Sequence, residues 1–268
     1  MAEAPEPVAH ERPADGLSSD AWFGGRLTLL QPKGGHRVGS DAALLAAAAA
    51  PTDGRVVDVG AGVGAVGLAL AKRHERLAAD VVEIDPRLAR LAADNAATNG
   101  LAERVRVLEI DIRDARARRE AGLADDAAEA VVANPPFFDA REVRTSPDAA
   151  RARAHVFSAD AADVAPLIGW IRASLAILTP GGRLTMIHRP EALGTILEAV
   201  GNRIGALALL PVFPRQGASA HRLLVSGVKG SRAPLRIAPA LVLHQDDGRL
   251  TGEADAIHRG EALIDWGV

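Results

Sequence analysis

The chain has 268 residues, 48% of them apolar, a formal net charge of −3 and no cysteine. That length accommodates one large α/β domain with a full core, and the missing cysteines exclude disulfides, thiolate metal sites and cysteine nucleophiles. The acidic, Pro-rich start MAEAPEPVAHERPADG lacks the apolar stretch of a secretory signal and AALLAAAAAP is too short to span a bilayer, so a cytoplasmic protein without membrane contact is expected.

Residues 1–20 read as a flexible arm and residues 21–268 as one domain. Within it, 21–50 read as a lid and helix, 51–190 as the core, and 191–268 as a sheet edge. AWFGGRLTLLQPKGGHRVG alternates apolar residues between Gly pairs, as in a short hairpin, and SDAALLAAAAA follows as a helix capped by Ser40 or Asp41. A strand–helix rhythm then sets in. RVVDV leads through a Gly-rich turn to AVGLALAKR, DVVEI leads to PRLARLAADNAATNG, and VRVLEI leads to an Arg-rich helix. EAVVA runs into a Pro-Pro turn, and the helix VAPLIGWIRASLAIL, stopped by TPGG, feeds the strand RLTMIH. Such alternation predicts a Rossmann-like, mostly parallel α/β sheet. ALALLPVF, HRLLVSGV and LRIAPALVL lack full helices between all of them, which predicts an antiparallel hairpin closing the sheet edge.

In VVDVGAGVGAVG, glycines stand at 60, 62, 64 and 67. Gly62, Gly64 and Gly67 satisfy the dinucleotide fingerprint and Glu83 lies 21 residues beyond Gly62, so a nicotinamide dehydrogenase is a competitor. The helix N-terminus there suits an anion, whether pyrophosphate or an amino-acid carboxylate. Asp58, at the strand's end, suits an ammonium group better than a pyrophosphate. Acidic residues recur at successive strand ends, Asp58, Glu83 and Asp111, followed by Asn134, and ligands of open α/β sheets bind outside those ends. S-adenosylmethionine fits: its amino-acid end at the turn and Asp58, its ribose hydroxyls on Glu83, its adenine amine on Asp111.

DVGAGVG, VEIDP and NPPF together resemble the class I amino-methyltransferases. HRVGSDAALLAA, ANPPFFD, PGGRLTMIHRPEAL and ASAHRLLVSGVKGSR are similar to the bacterial tRNA (adenine-6-amino) methyltransferases acting beside the anticodon of a valine tRNA. The resemblance runs from about residue 20 to the C-terminus. It implies a seven-stranded methyltransferase sheet and S-adenosylmethionine as cofactor. The cofactor set it implies comprises Gly60, Gly62, Gly64, Asp58, Glu83, Asp85, Asp111 and Ile112, with Arg37, Ser40 and Asp41 covering the ligand from the first helix.

The NPPF residues fit the chemistry. An exocyclic amine conjugated to a ring or carbonyl is a poor nucleophile, and it must be held in line with the methyl it attacks. The Asn134 side-chain carbonyl and the Pro135 backbone carbonyl would accept both amine hydrogens and stabilise the charge developing on nitrogen. Pro135 and Pro136 stiffen the turn, and Phe137 would stack on the flat substrate, worth about 1–3 kcal/mol per base. The singly scattered histidines give no metal-ligand spacing, so no metal is expected. His188 reads as structural.

RNA, tRNA above all, is the expected partner. Two basic segments would track its phosphates beside a flipped adenine. One is the loop after the turn, with Phe138, Arg141, Arg144, Arg151 and Arg153. The other is the stretch between Glu198 and Asp246, which has no carboxylate and includes Arg215, Arg222 and Lys229. A protein glutamine amide is the alternative acceptor, though those enzymes usually carry Tyr at the position of Phe137. An O-methyltransferase of the same fold and a catalytically silent RNA-binding scaffold stay open, as does the oligomeric state.

Overall fold

A computed structural model describes residues 16–34, 37–49, 53–135 and 165–267. Five strands run parallel: β3 (Arg55–Val59), β4 (Ala78–Glu83), β5 (Val105–Glu109), β6 (Ala128–Ala133) and β7 (Leu178–His188). β8 (Ile204–Arg215) and β9 (Arg222–Lys229) form an antiparallel pair, with β9 inserted between β7 and β8. The order β8-β9-β7-β6-β3-β4-β5 reverses direction at β3, the position beside which ligands of open α/β sheets bind. Two short strands, β10 (Arg236–Ile237) and β11 (Leu241–His244), both pair parallel with β8, so among the described residues the sheet has nine strands, where seven were expected.

The sheet is covered on both faces, as its nearly continuous apolar strands require. Successive strand residues point to opposite sides: Val56, Ala79 and Val81 enter one core, and Val57, Val59 and Val82 the other. The first core is filled by α1 (Ser40–Ala48), α2 (Ala65–Arg73), α3 (Pro86–Thr98) and α7 (Gly252–His258). The second is filled by α5 (Ala165–Ile177) and α6 (Leu193–Val200), with α4 (Ala115–Glu120) at its border. α1 is buried from Ala42 to Ala48; its small side chains let it sit between elements with no polar stripe. α3 is amphipathic and well bounded. Asp85 caps it, Pro86 occupies its first turn, and Gly100 takes a left-handed φ of 68° just past its end.

Several boundaries differ from the sequence reading. β1 (Leu17–Trp22) begins inside the segment expected to be an arm and pairs antiparallel with β2 (Leu27–Pro32). TPGG does not precede the strand: it lies inside β7, where the register with β6 jumps from Ala128↔Leu178 to Ala130↔Arg183. LRIAPALVL is broken at Ala238–Ala240 into β10 and β11, as a proline within the run demands. α6 and α7 were not anticipated.

The topology also divides the basic C-terminal stretch. β9 runs against β7, so Arg222 lies near His188 at the carboxyl edge of the sheet, whereas Lys229 lies beside the start of β7 at the amino edge. Arg203, just before β8, shares the amino edge with Lys229, and Arg215 ends β8 at the carboxyl edge. One run of charge in sequence is two separate surfaces in space. Lys229, expected to contact substrate, lies at the edge away from the strand carboxyl ends. Its ammonium donates to the carbonyl of Leu178 at 2.6 Å and pairs with Asp126 at 2.8 Å, clipping two elements at the edge far from the strand carboxyl ends. Lys229→Met should lower stability by about 1–3 kcal/mol through loss of charged hydrogen bonds, measured by denaturant unfolding; unchanged stability would contradict this placement.

Candidate active site

The centre of the site is fixed by strand register. Val59 pairs with both Val82 and Ala133. Gly60, Glu83 and Asn134, each one residue further along its strand, therefore stand side by side at the carboxyl edge. The turn after β3 is tied to β4, since the N–H groups of Gly60 and Ala61 both donate to the Val82 carbonyl, at 2.9 and 3.1 Å. Gly60, Gly62 and Gly64 have φ of 69°, 58° and 85°, which side chains tolerate poorly. A Cβ on Gly64 would come within 3.2 Å of Ala92, whereas one on Gly62 would meet nothing within 4 Å. At Gly62 the bare backbone faces open space that a ligand can approach.

Glu83 is buried, and its carboxylate accepts from Gly62 N at 2.7 Å through one oxygen and from Ile84 N and Asp85 N, both at 2.9 Å, through the other. The oxygen that accepts from Gly62 alone keeps a further lone pair, which suits a ribose hydroxyl. Asp85 lies beside it as the cap of α3, accepting from Arg87 N and Leu88 N, and so shapes the pocket rather than filling it.

Asp58 departs from expectation. It is only 2% exposed, and its carboxylate accepts from Gly67 N at 2.8 Å, beneath the turn. A Cβ on Gly67 would lie 2.8 Å from Val81, so α2 sits close enough for this bond only because residue 67 is glycine. Asp58 pins α2 to β3 through one of its carboxylate oxygens. Burial pushes its carboxyl up to about 7, the neighbouring Glu83 charge adds to the rise, and the Gly67 N–H opposes it.

Asp111 is held by Arg113, whose guanidinium reaches its carboxylate at 2.7 Å and whose backbone N–H donates to it at 2.9 Å. An adenine amine would share this carboxylate with Arg113, a neighbour the sequence reading did not single out. Ile112 is buried, and its carbonyl accepts from Arg118. Trp170 on α5 was also missed. Its indole edge would lie 3.2 Å from a Cβ on Gly60, so it walls the turn from the opposite face. No amphipathic stripe marks it, because α5 is apolar on nearly every side. His188 is buried, and that burial holds its pKa below the usual value, with the Arg189 and Arg222 charges acting in the same direction.

The three residues expected to cover the cofactor are all engaged by the protein. Arg37 pairs with Asp20 at 2.8 Å, Ser40 hydrogen-bonds His258 at 2.9 Å, and Asp41 accepts from Arg222 at 2.8 Å. The last contact joins a residue assigned to cofactor with one assigned to RNA. The two carry opposite charge and form an ion pair. Arg215 lies at the carboxyl edge, beside His244, Asp246 and Asp247 in an open surface groove.

Asn134 is half-buried and Pro135 buried, and no described residue hydrogen-bonds the Asn134 amide. Pro136, Phe137, Phe138, Arg141, Arg144, Arg151 and Arg153 lie outside the described residues. Among the described residues no cluster of three or more His, Cys, Asp and Glu could hold a metal, and no helix is long and apolar enough to cross a membrane.

The folded chain keeps a proton on Asp58 between the ordinary 3.8 and about 7, so its buried charge costs stability increasingly as pH rises through that window. Asp58→Asn should therefore gain thermal stability relative to the native chain as pH rises from about 4 to about 7, and the gain should level off above that. His188 titrates the other way in both proteins and cancels in the difference. A melting-temperature difference that is flat with pH would contradict the assignment.

Comparison with known proteins agrees with this geometry. The family model of the methyltransferase small domain matches residues 36–198. A protein of Aeromonas hydrophila named tRNA1(Val) (adenine(37)-N6)-methyltransferase is 31% identical over 216 residues, which cover 79% of this chain and 84% of that one. The crystal structure of a predicted O-methyltransferase from Agrobacterium tumefaciens superposes with a TM-score of 0.70 at 32% identity, covering 85% of this chain and 100% of that one. A 16S rRNA methyltransferase of T. thermophilus, determined with AdoMet and guanosine, shares the fold, with a TM-score of 0.51 and 21% identity over 80% of this chain and 50% of its own. With a family model spanning more than half its length and relatives aligned across most of it, the chain belongs to the methyltransferase small domain family and is an S-adenosylmethionine-dependent methyltransferase of the class I fold.

Proposed function

We propose that this enzyme methylates the exocyclic 6-amine of an adenine in RNA, most specifically in a tRNA beside the anticodon. The observation that carries the reading is the placement of Asn134 and Pro135 one strand from the glycine turn, through the pairing of Val59 with Ala133. The name of the Aeromonas relative supports the acceptor.

The bound cofactor supplies an electrophilic methyl on a sulfonium. The chain's part is to position the nucleophile. The Asn134 side-chain oxygen and the Pro135 carbonyl accept the two amine hydrogens, which turns the nitrogen lone pair out of conjugation and toward the methyl. The nitrogen–carbon bond forms as the carbon–sulfur bond breaks, and the surplus proton leaves nitrogen for water. A strong base is not required, because the methylated amine is acidic. Phe137, by its place in the NPPF motif, stacks on the extruded base and offsets part of the cost of unstacking it. Arg215 at the carboxyl edge and the arginines of residues 141–153 contact phosphates.

Asn134→Ala should reduce methyl transfer into unmodified tRNA by about 10²- to 10³-fold while cofactor affinity stays within about twofold. Digestion of the labelled RNA should place the methyl on an adenine 6-amine. Full activity in the variant would contradict the mechanism, and label in a protein amide would contradict the acceptor.

A further inference from the structure

We propose that Asn95, on α3, is a positioning residue for the cofactor turn, and that through it the β1–β2 hairpin becomes part of the framework of the cofactor site. The inference rests on the assignment of the Gly60–Gly67 turn to S-adenosylmethionine.

Asn95 is 0% exposed on a helix whose other buried residues are Ala and Leu. A carboxamide there is costly unless each of its hydrogen-bonding groups is satisfied. They are. Its oxygen accepts from Leu30 N at 2.7 Å, and its nitrogen donates to Leu30 O and to Val63 O, both at 3.0 Å. Val63 lies inside the glycine turn, and Leu30 lies on β2. One side chain thus holds the cofactor turn and the hairpin together. The same helix meets the turn a second time, where Ala92 packs against Gly64.

A comparison residue lies one helical turn further on. Asn99 accepts from Thr28 N at 2.9 Å and donates to Thr28 O at 2.8 Å. Asn95 and Asn99 together complete the free edge of β2, which its partner strand leaves unpaired. Only Asn95 reaches the turn.

The hairpin carries the connection onward. Asp20 accepts from Ser18 at 2.7 Å and from Gln31 and Arg37 at 2.8 Å, while the buried Gln31 accepts from Val38 N at 3.0 Å. A hydrogen-bonded path therefore leads from Val63 through Asn95 and Leu30 to the Arg37–Val38 segment that opens α1. Cofactor that firms the turn firms this segment as well.

The test is amide hydrogen exchange and cofactor titration on the full chain. In the native protein, S-adenosylmethionine should slow exchange of the Leu30 N–H. Asn95→Ala should weaken cofactor binding roughly tenfold, by leaving buried backbone groups unpaired, and abolish the slowing at β2. Asn99→Ala should speed exchange across the hairpin yet bind cofactor within about twofold of the native chain. Native protein that binds cofactor with no change at Leu30 overturns the coupling alone, and this readout decides the matter even if Asn95→Ala fails to fold. Equal loss of affinity in both variants reduces Asn95 to a general prop for the hairpin and overturns the proposal. Native protein that binds no S-adenosylmethionine overturns the cofactor assignment and the coupling with it.

Discussion

The Glu83 carboxylate is the interaction on which the rest of the site depends. It gathers the N–H groups of Gly62, Ile84 and Asp85, and so locks the glycine turn of one strand to the end of the next. The carboxylate is buried, where charge is costly unless hydrogen-bonded, and three backbone donors meet that need. The arrangement favours a ligand that brings hydroxyl donors. A pyrophosphate would find the amides of Gly60, Ala61, Gly62 and Gly67 already engaged and two carboxylates close by, which separates this turn from that of a nicotinamide dehydrogenase.

Around this anchor the sheet distributes roles by strand. β3 supplies the turn, β4 the carboxylate, β6 the Asn134–Pro135 corner, and α5 the indole of Trp170 that walls the turn. Asp58 works underneath, as a pin for α2. Several of the described cations are paired within the fold: Arg222 with Asp41, Arg37 with Asp20, Arg113 with Asp111, Lys229 with Asp126.

What the sequence made legible was whatever local chemistry specifies. The alternation of β-branched strands with helices, the Asp85–Pro86 helix start and the glycine turn each follow from a few neighbouring residues. The order of acidic strand ends placed Asp58, Glu83, Asp111 and Asn134 on one edge correctly. What stayed hidden depends on long-range contact. Asp58 was read as facing ligand because nothing local reveals that Gly67 lets α2 approach it. The stretch from 203 to 236 read as one basic surface because direction reversal between β8 and β9 is invisible in a run of charges. Arg222 and Asp41, 181 residues apart, gave no sign of pairing. α6 was masked by its apolar sequence between two strands, and Asn95 by its place in an ordinary amphipathic helix.

The most direct test of the account is the structure of the chain crystallised with S-adenosylhomocysteine. The ribose hydroxyls should lie on Glu83, the adenine near Asp111 and Ile112, and the sulfur within a methyl's reach of the space beside Asn134. A ligand seated elsewhere on the sheet edge, or bound with its sulfur turned away from Asn134, would contradict the assignment of both the cofactor site and the catalytic corner.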